Sequence, residues 1–305
     1  MSGIILHHYD ASPFTQKALR MLGLKGLQWR SVLTPMLPPK DDLLEMTGGY
    51  RGTPVMQIGA EVFIDTQRIA AELERRFPAP SLFPAADAGI GYMLVKWSES
   101  FFRTGLALSI ELLSKDWPQP FLEDRVSLFP DVDFAATRAD GAHARSQFRV
   151  HAGWLDRQLA DGRAFLTGPQ CGLADIQAQV FVWMVCAYVP QLAVELLAPF
   201  RHLQSWSLRV DSIGQGKRAE IGAAEALAES AGAPRPATGV VDAADPLGLQ
   251  RGQRVEITPD DTRRGAVVGA LEGLSWDAVS IRRHGERCGE VVVHFPRIGY
   301  RVRPL

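Results

Sequence analysis

The apolar run Gly3 to Tyr9 stops at Asp10-Ala11-Ser12-Pro13, a pattern that predicts a buried strand ended by a turn. Beyond Pro13 the apolar residues Phe14, Ala18, Leu19, Met21 and Leu22 recur at helical spacing, with Gln16, Lys17 and Arg20 between them. Leu27 to Leu33 reads as a second strand, and the Pro-rich Pro35 to Pro39 leads into a short helix over Asp41 to Met46. Thr53 to Ile58 and Glu61 to Ile64, joined by Gly59-Ala60, have the form of a tight β-hairpin. Ile69, Leu73 and Phe77 then mark one face of a helix that ends before Pro78.

The resulting order, β-α-β-α-β-β-α over residues 1–80, is that of a thioredoxin-like α/β domain. Helical patterns dominate from 88 to 229, notably Tyr92 to Leu113, Ala142 to Ala160, Ala174 to Val189 and Gln191 to Phe200, which predicts an all-α domain. Within it, Ser114 to Asp140 is broken by prolines and is expected to form a long loop or broken helix. Residues 230–246, rich in Ala, Pro and Gly, read as a linker. Val255 to Thr258, Ala266 to Leu271, Ala278 to Arg283, Glu290 to Phe295 and Tyr300 to Val302 predict five short strands, expected to close as a small all-β, barrel-like domain over 247–305.

Composition narrows the function classes. A formal net charge of -1, with 46% hydrophobic residues, gives no electrostatic case for a dedicated nucleic-acid or membrane-surface binder. The tail from Leu247 holds ten arginines against seven acidic residues; Arg282-Arg283-His284 and His294 to Arg297 are expected on a solvated face or docked on the rest of the chain, while a barrel exposing Arg and Tyr300 to bind a nucleic acid or an acidic partner is disfavoured by the modest excess. The apolar stretch Val180 to Pro190 is too short for a membrane span, which needs about 20 residues. Three widely spaced cysteines, Cys171, Cys186 and Cys288, form no metal-binding or dithiol motif; with no export signal at the N-terminus, a cytoplasmic protein is expected. His7-His8 lie on opposite strand faces with no third ligand apparent, so a structural role is expected and no metal.

The candidate chemistry sits at the ends of the first strand and hairpin. Ser12 precedes Pro13 at the start of the first helix, a position that suits an N-cap; a functional role requires company. Thr53-Pro54 and Asp65-Thr66 supply it. With these residues, Asp10 to Lys17 resembles the cytosolic glutathione transferases, most closely their Ser and Cys (omega-like) classes, and Phe165 to Gly168 followed by Leu173 to Ile176 is similar to that family's loop and capping motif. The resemblance spans residues 3 to about 225 and implies a glutathione-dependent enzyme. Ser12 would activate the thiol, with Tyr9 as a second-ranked rival. Phe14, Thr53, a cis Pro54, Asp65 and Thr66 would hold glutathione as co-substrate. It further implies an electrophile or peroxide as second substrate and a homodimer. Two features depart from the family: Asp65 stands in place of Glu, and Thr47-Gly48-Gly49-Tyr50-Arg51-Gly52 is an unusual approach to Pro54. Both leave open a non-catalytic scaffold or interaction module on the same fold.

Overall fold

The computed structural model describes residues 3–84, 88–262 and 264–305. In chain order its elements are β1 (Ile4–His8), α1 (Pro13–Leu24), β2 (Gln28–Leu33), α2 (Asp41–Thr47), β3 (Val55–Ile58), β4 (Glu61–Ile64), α3 (Thr66–Arg76), α4 (Ala88–Leu113), α5 (Gln119–Leu128), α6 (Phe134–Ala139), α7 (Gly141–Gln158), α8 (Leu173–Tyr188), α9 (Pro190–Leu197), α10 (Arg201–Asp211), β5 (Lys217–Glu220), α11 (Ala223–Gly232), β6 (Arg254–Pro259), β7 (Val267–Leu274), β8 (Ala278–Gly285), β9 (Gly289–Pro296) and β10 (Tyr300–Pro304). They divide into two compact units. The first comprises Met1–Ala18, Gln28–Glu72 and Lys217–Leu305; the second comprises Leu19–Leu27 and Leu73–Gly216.

The first unit is built on one ten-stranded sheet of order β10-β6-β7-β8-β9-β4-β3-β1-β2-β5. Its centre is the thioredoxin-like arrangement expected from the sequence: β1 runs parallel to β2 and antiparallel to β3, and β3 and β4 form the hairpin. The separate barrel does not form. β9 pairs in parallel with β4, placing Glu61, Val62 and Phe63 opposite Val292, Val293 and His294, while β10 pairs with β6. A hairpin edge whose N–H and C=O groups would otherwise face solvent thus becomes the template for the C-terminal strands. The core is correspondingly shared: Val55, Val62 and Ile64 pack in one cluster with Val255, Leu271, Ile281, Val291, Val293 and Phe295, all buried.

Two boundaries shift for related reasons. Residues 217–229, expected to close the helical domain, belong to the first unit, where β5 adds to the opposite edge of the sheet beside β2 and α11 lies against α2, β2 and β9. Lys217-Arg218-Ala219-Glu220 carries no apolar signal because an edge strand needs none. The expected linker is pinned as well: the Leu274 N–H donates to the Val240 C=O, and the Asp242 N–H to the Leu274 C=O.

The Gly-rich approach to Pro54 is the seam along which the C-terminal strands meet the hairpin. Gly49 has φ 131°, and a Cβ there would lie 2.4 Å from the Ala266 carbonyl oxygen; a Cβ on Gly265, with φ 99°, would lie 2.1 Å from the Gly49 oxygen. Side chains at either position would force the two backbones apart. The Arg51 N–H donates to the Arg264 C=O at 2.8 Å across this seam. The arginine clusters serve the same junction: Arg283 donates to the Met46 carbonyl at 3.2 Å, Arg287 pairs with Asp42, and His294 stacks on Phe63 with ring centroids 4.6 Å apart.

The second unit is helical, with α4 packed against α7 and α8 around Phe101, Phe148 and Phe181. The long loop or broken helix expected over Ser114 to Asp140 is two short helices, α5 and α6, the latter capped by the Asp133 carboxylate, which accepts from the Ala135 and Ala136 N–H groups. The expected motif before the central helix is present. Buried Asp175 accepts from the Leu166 N–H at 2.8 Å, the Gly172 N–H at 3.0 Å and the Trp206 indole at 2.8 Å.

If the C-terminal strands share the hairpin's core, Phe295→Ala destabilises the first unit as a whole, by about 3–5 kcal/mol for a buried Phe truncation. Urea unfolding followed through Trp29, on β2, should show the lowered midpoint; a Trp29 transition left unchanged would show that the strands fold independently.

Candidate functional site

The predicted site residues within the first unit lie at loop and helix starts along one end of β1, β3 and β4. Ser12 caps α1: its Oγ accepts the Thr15 N–H at 3.3 Å and its C=O accepts the Gln16 N–H at 3.1 Å. The side chain is only 2% exposed, so the hydroxyl serves the helix while its own proton stays available to donate. Half-buried Phe14 carries the Lys17 ammonium 4.6 Å from its ring centroid. Tyr9 lies under the Lys40 ammonium at 5.4 Å, and its carbonyl accepts the Ser12 N–H.

The Thr53-Pro54 peptide is cis. Among the described residues the Thr53 main chain makes no protein hydrogen bond, although Val55, two residues on, is already paired in the sheet. Asp65 closes β4 with φ 76°, the sole positive-φ non-glycine among the described residues. Its Oδ1 accepts the Gln67 N–H at 2.9 Å, and its C=O accepts the Ile69 N–H at 2.9 Å. Thr66 opens α3, and neither its N–H nor its hydroxyl has a protein partner among the described residues. That helix start favours an anion.

Tyr50, Arg264 and Tyr300 join this group, and the sequence did not single out the first two. The Tyr300 hydroxyl donates to Asp65 Oδ2 at 3.3 Å and lies 3.4 Å from the Tyr50 hydroxyl. Tyr300 is 7% exposed, because β10 brings it back over the hairpin. Burial pushes the Tyr50 and Tyr300 phenols up, so both remain protonated donors. The Arg264 guanidinium sits 5.5 Å over the Phe14 ring; burial opposes its charge, but Tyr50, Asp261, Tyr300 and Asp65 hold its pKa above the ordinary value. No local pattern marks Tyr50 or Arg264, since each acquires its surroundings only from strands far along the chain.

The remaining candidates have structural surroundings. His7 Nε2 and Gln57 Oε1 are 2.9 Å apart, and His8 Nε2 lies 3.0 Å from Ser31 Oγ, on opposite faces of β1. All three thiols are pushed up by burial, unlike a reactive cysteine, whose thiol pKa is lowered. Among the described residues no cluster of His, Cys, Asp and Glu could hold a metal, and no helix is long and apolar enough to cross a membrane.

A GST-like protein from Pseudomonas syringae matches this structure over 100% of both chains, with 31% identity and a TM-score of 0.78. This chain belongs to the GST-like family. Residues 6–81 of this GST-like chain match the glutathione S-transferase N-terminal domain. A glutathione S-transferase from Rhodospirillum rubrum F11 (23% identity, TM-score 0.53) covers 68% of this chain and 88% of its own. A Tau class enzyme from mango, Mangifera indica, has the same coverage and TM-score at 16% identity. These two share the fold. The C-terminal strands are therefore common to the GST-like Pseudomonas protein and this chain, whereas the two transferases align over a shorter part of it. No curated protein matches the chain.

Two buried histidines, His7 and His8, make the stability of this GST-like chain sensitive to acid. Burial lowers the His8 pKa from 6.5 to about 4 and lowers that of His7, so below pH 6.5 the unfolded chain binds protons that the folded chain refuses. The stability these two groups contribute is therefore full above pH 6.5 and falls as pH drops from 6.5 toward 4. His8→Gln should give a flatter dependence of the urea midpoint across this window.

Proposed function

We propose that the chain binds glutathione in its first unit and activates the thiol for attack on an electrophile or peroxide. The observation that supports this best is the unpaired main chain of Thr53 beside cis Pro54, together with the open α3 N-terminus at Thr66. The first offers an extended peptide a β-type donor and acceptor, and the second offers a carboxylate a helix start with a hydroxyl. Asp65, oriented by Gln67 and Tyr300, would accept the γ-glutamyl ammonium. Phe14 and Pro54 would supply the apolar wall.

In this reading Ser12 donates its O–H to the glutathione sulfur while the α1 N-terminus favours negative charge there. The thiol proton leaves to solvent, the thiolate sulfur forms the new bond to the electrophilic carbon, and the leaving group departs with the electron pair. Asp10 to Lys17 aligns the chain with the Ser and omega-like classes; homodimerisation and residence in a reducing, cytoplasmic compartment follow from the same family expectation. A second reading, a glutathione-binding scaffold without turnover, is favoured by one observation: Ser12 is 2% exposed and its oxygen is already engaged as a helix cap.

Isothermal titration with reduced glutathione should give saturable binding that weakens roughly tenfold or more in Asp65→Ala, the size expected for a lost charge-assisted hydrogen bond. Absence of heat at millimolar glutathione would rule the proposal out. Ser12→Ala separates the two readings: the enzyme loses thiolate absorbance of the bound peptide at neutral pH, and the scaffold binds unchanged.

A further inference from the structure

We infer that Arg264, delivered by the C-terminal strands, is a carboxylate-binding residue of the candidate site. The inference deepens the glutathione reading and rests on it.

Its position is fixed by backbone rather than by side-chain chance. The Arg264 C=O accepts the Arg51 N–H at 2.8 Å, three residues before Pro54, and the Gly49–Gly265 contact holds the two segments closer than any side chain would permit. The guanidinium is consequently brought over Phe14, on the helix whose start Ser12 caps. A guanidinium carried on a free surface loop would show no such restraint.

Its charge is left available. Several arginines of the same C-terminal strands are consumed by carboxylates: Arg282 by Glu272 and Glu290, Arg287 by Asp42, Arg297 by Asp245. Arg264 makes no ion pair among the described residues, although it is half-buried. The nearby carboxylate of Asp65 is turned toward the Gln67 N–H with one oxygen and the Tyr300 hydroxyl with the other, and forms no ion pair with Arg264. The guanidinium hydrogen-bonds the Tyr50 hydroxyl, and the Tyr300 hydroxyl and the more distant acids steady the cation, so among the described residues no carboxylate is paired with its fork of N–H donors. A half-buried guanidinium in that condition matches the planar, bidentate geometry of a carboxylate.

Glutathione carries a carboxylate on its glycyl end in addition to the one assigned to the α3 N-terminus, and an anionic electrophile would carry another. The chemistry is the same, so the two sources are separated by experiment. Titrate reduced glutathione and its glycyl ethyl ester into the full-length wild-type chain, R264Q and R264K. Then compare KM for a chloronitrobenzoate with that for the chlorodinitrobenzene lacking the carboxylate.

If the glycyl carboxylate is the ligand, R264Q weakens glutathione roughly tenfold or more, R264K weakens it less, and the ester, already weak on the wild type, is unaffected by either substitution. If the electrophile supplies it, peptide affinity is unchanged and KM rises in R264Q for the benzoate alone. The inference is overturned if R264Q binds glutathione as tightly as the wild type and handles both electrophiles alike. It is equally overturned if R264Q binds more tightly, which would make the guanidinium a competitor of the peptide's ammonium. Wild-type protein that binds no glutathione would instead sink the glutathione reading on which the inference stands, an outcome distinct from failure of Arg264 alone. Matching thermal transitions for the three proteins establish that each is folded.

Discussion

The parallel pairing of Glu61 to Phe63 with Val292 to His294 is the contact on which the arrangement of the first unit depends. Without it β4 would present an open edge, and the apolar faces of Val62 and Ile64 would lack the Val291, Val293 and Phe295 side chains that complete their core. Parallel partners cannot be joined by a short turn, so the chain must reach β4 from far away. Here it does so after leaving the helical unit, adding β5 to one edge and crossing by α11 to build five strands on the other.

That route explains why the seam and the site coincide. The segment that leads into β3 and cis Pro54 is also the segment against which Arg264 to Ala266 lies, and close backbone approach there demands glycine at 49 and 265. The same crossing turns β10 over the hairpin and sets the Tyr300 hydroxyl on Asp65, whose shorter side chain is then held from both sides. The departures from the family pattern, Asp for Glu and the double glycine, are accommodated by one structural addition. The full-length correspondence with the Pseudomonas protein shows that this addition belongs to a fold shared with a relative.

Local pattern made much of the fold legible. β1 to β4, α1 to α3, the main helices and the five C-terminal strands all carry apolar periodicity, because each buries a face. β5 did not, since Lys217 to Glu220 lies at an edge and is mostly exposed. The partnership of β9 with β4 was illegible for a different reason: strand pairing between residues more than two hundred positions apart leaves no periodic trace, and five short strands suit a closed barrel as well as an extended sheet. At the site, Ser12, Phe14, Thr53, Pro54, Asp65 and Thr66 could be named from short motifs. Tyr50 and Arg264 could not, because their surroundings exist only once the distant strands dock; Gly48-Gly49 was the visible sign that something close-packed there.

The C-terminal strands and the hairpin beside the site should open as one cooperative structure. Native-state hydrogen exchange at rising urea tests it most directly, comparing the amides of Val62, Val293 and Arg51. They should converge on a common opening with the same free energy and urea dependence. Early exchange of the β6 to β10 amides in a separate opening, with β1 to β4 still protected, would contradict it.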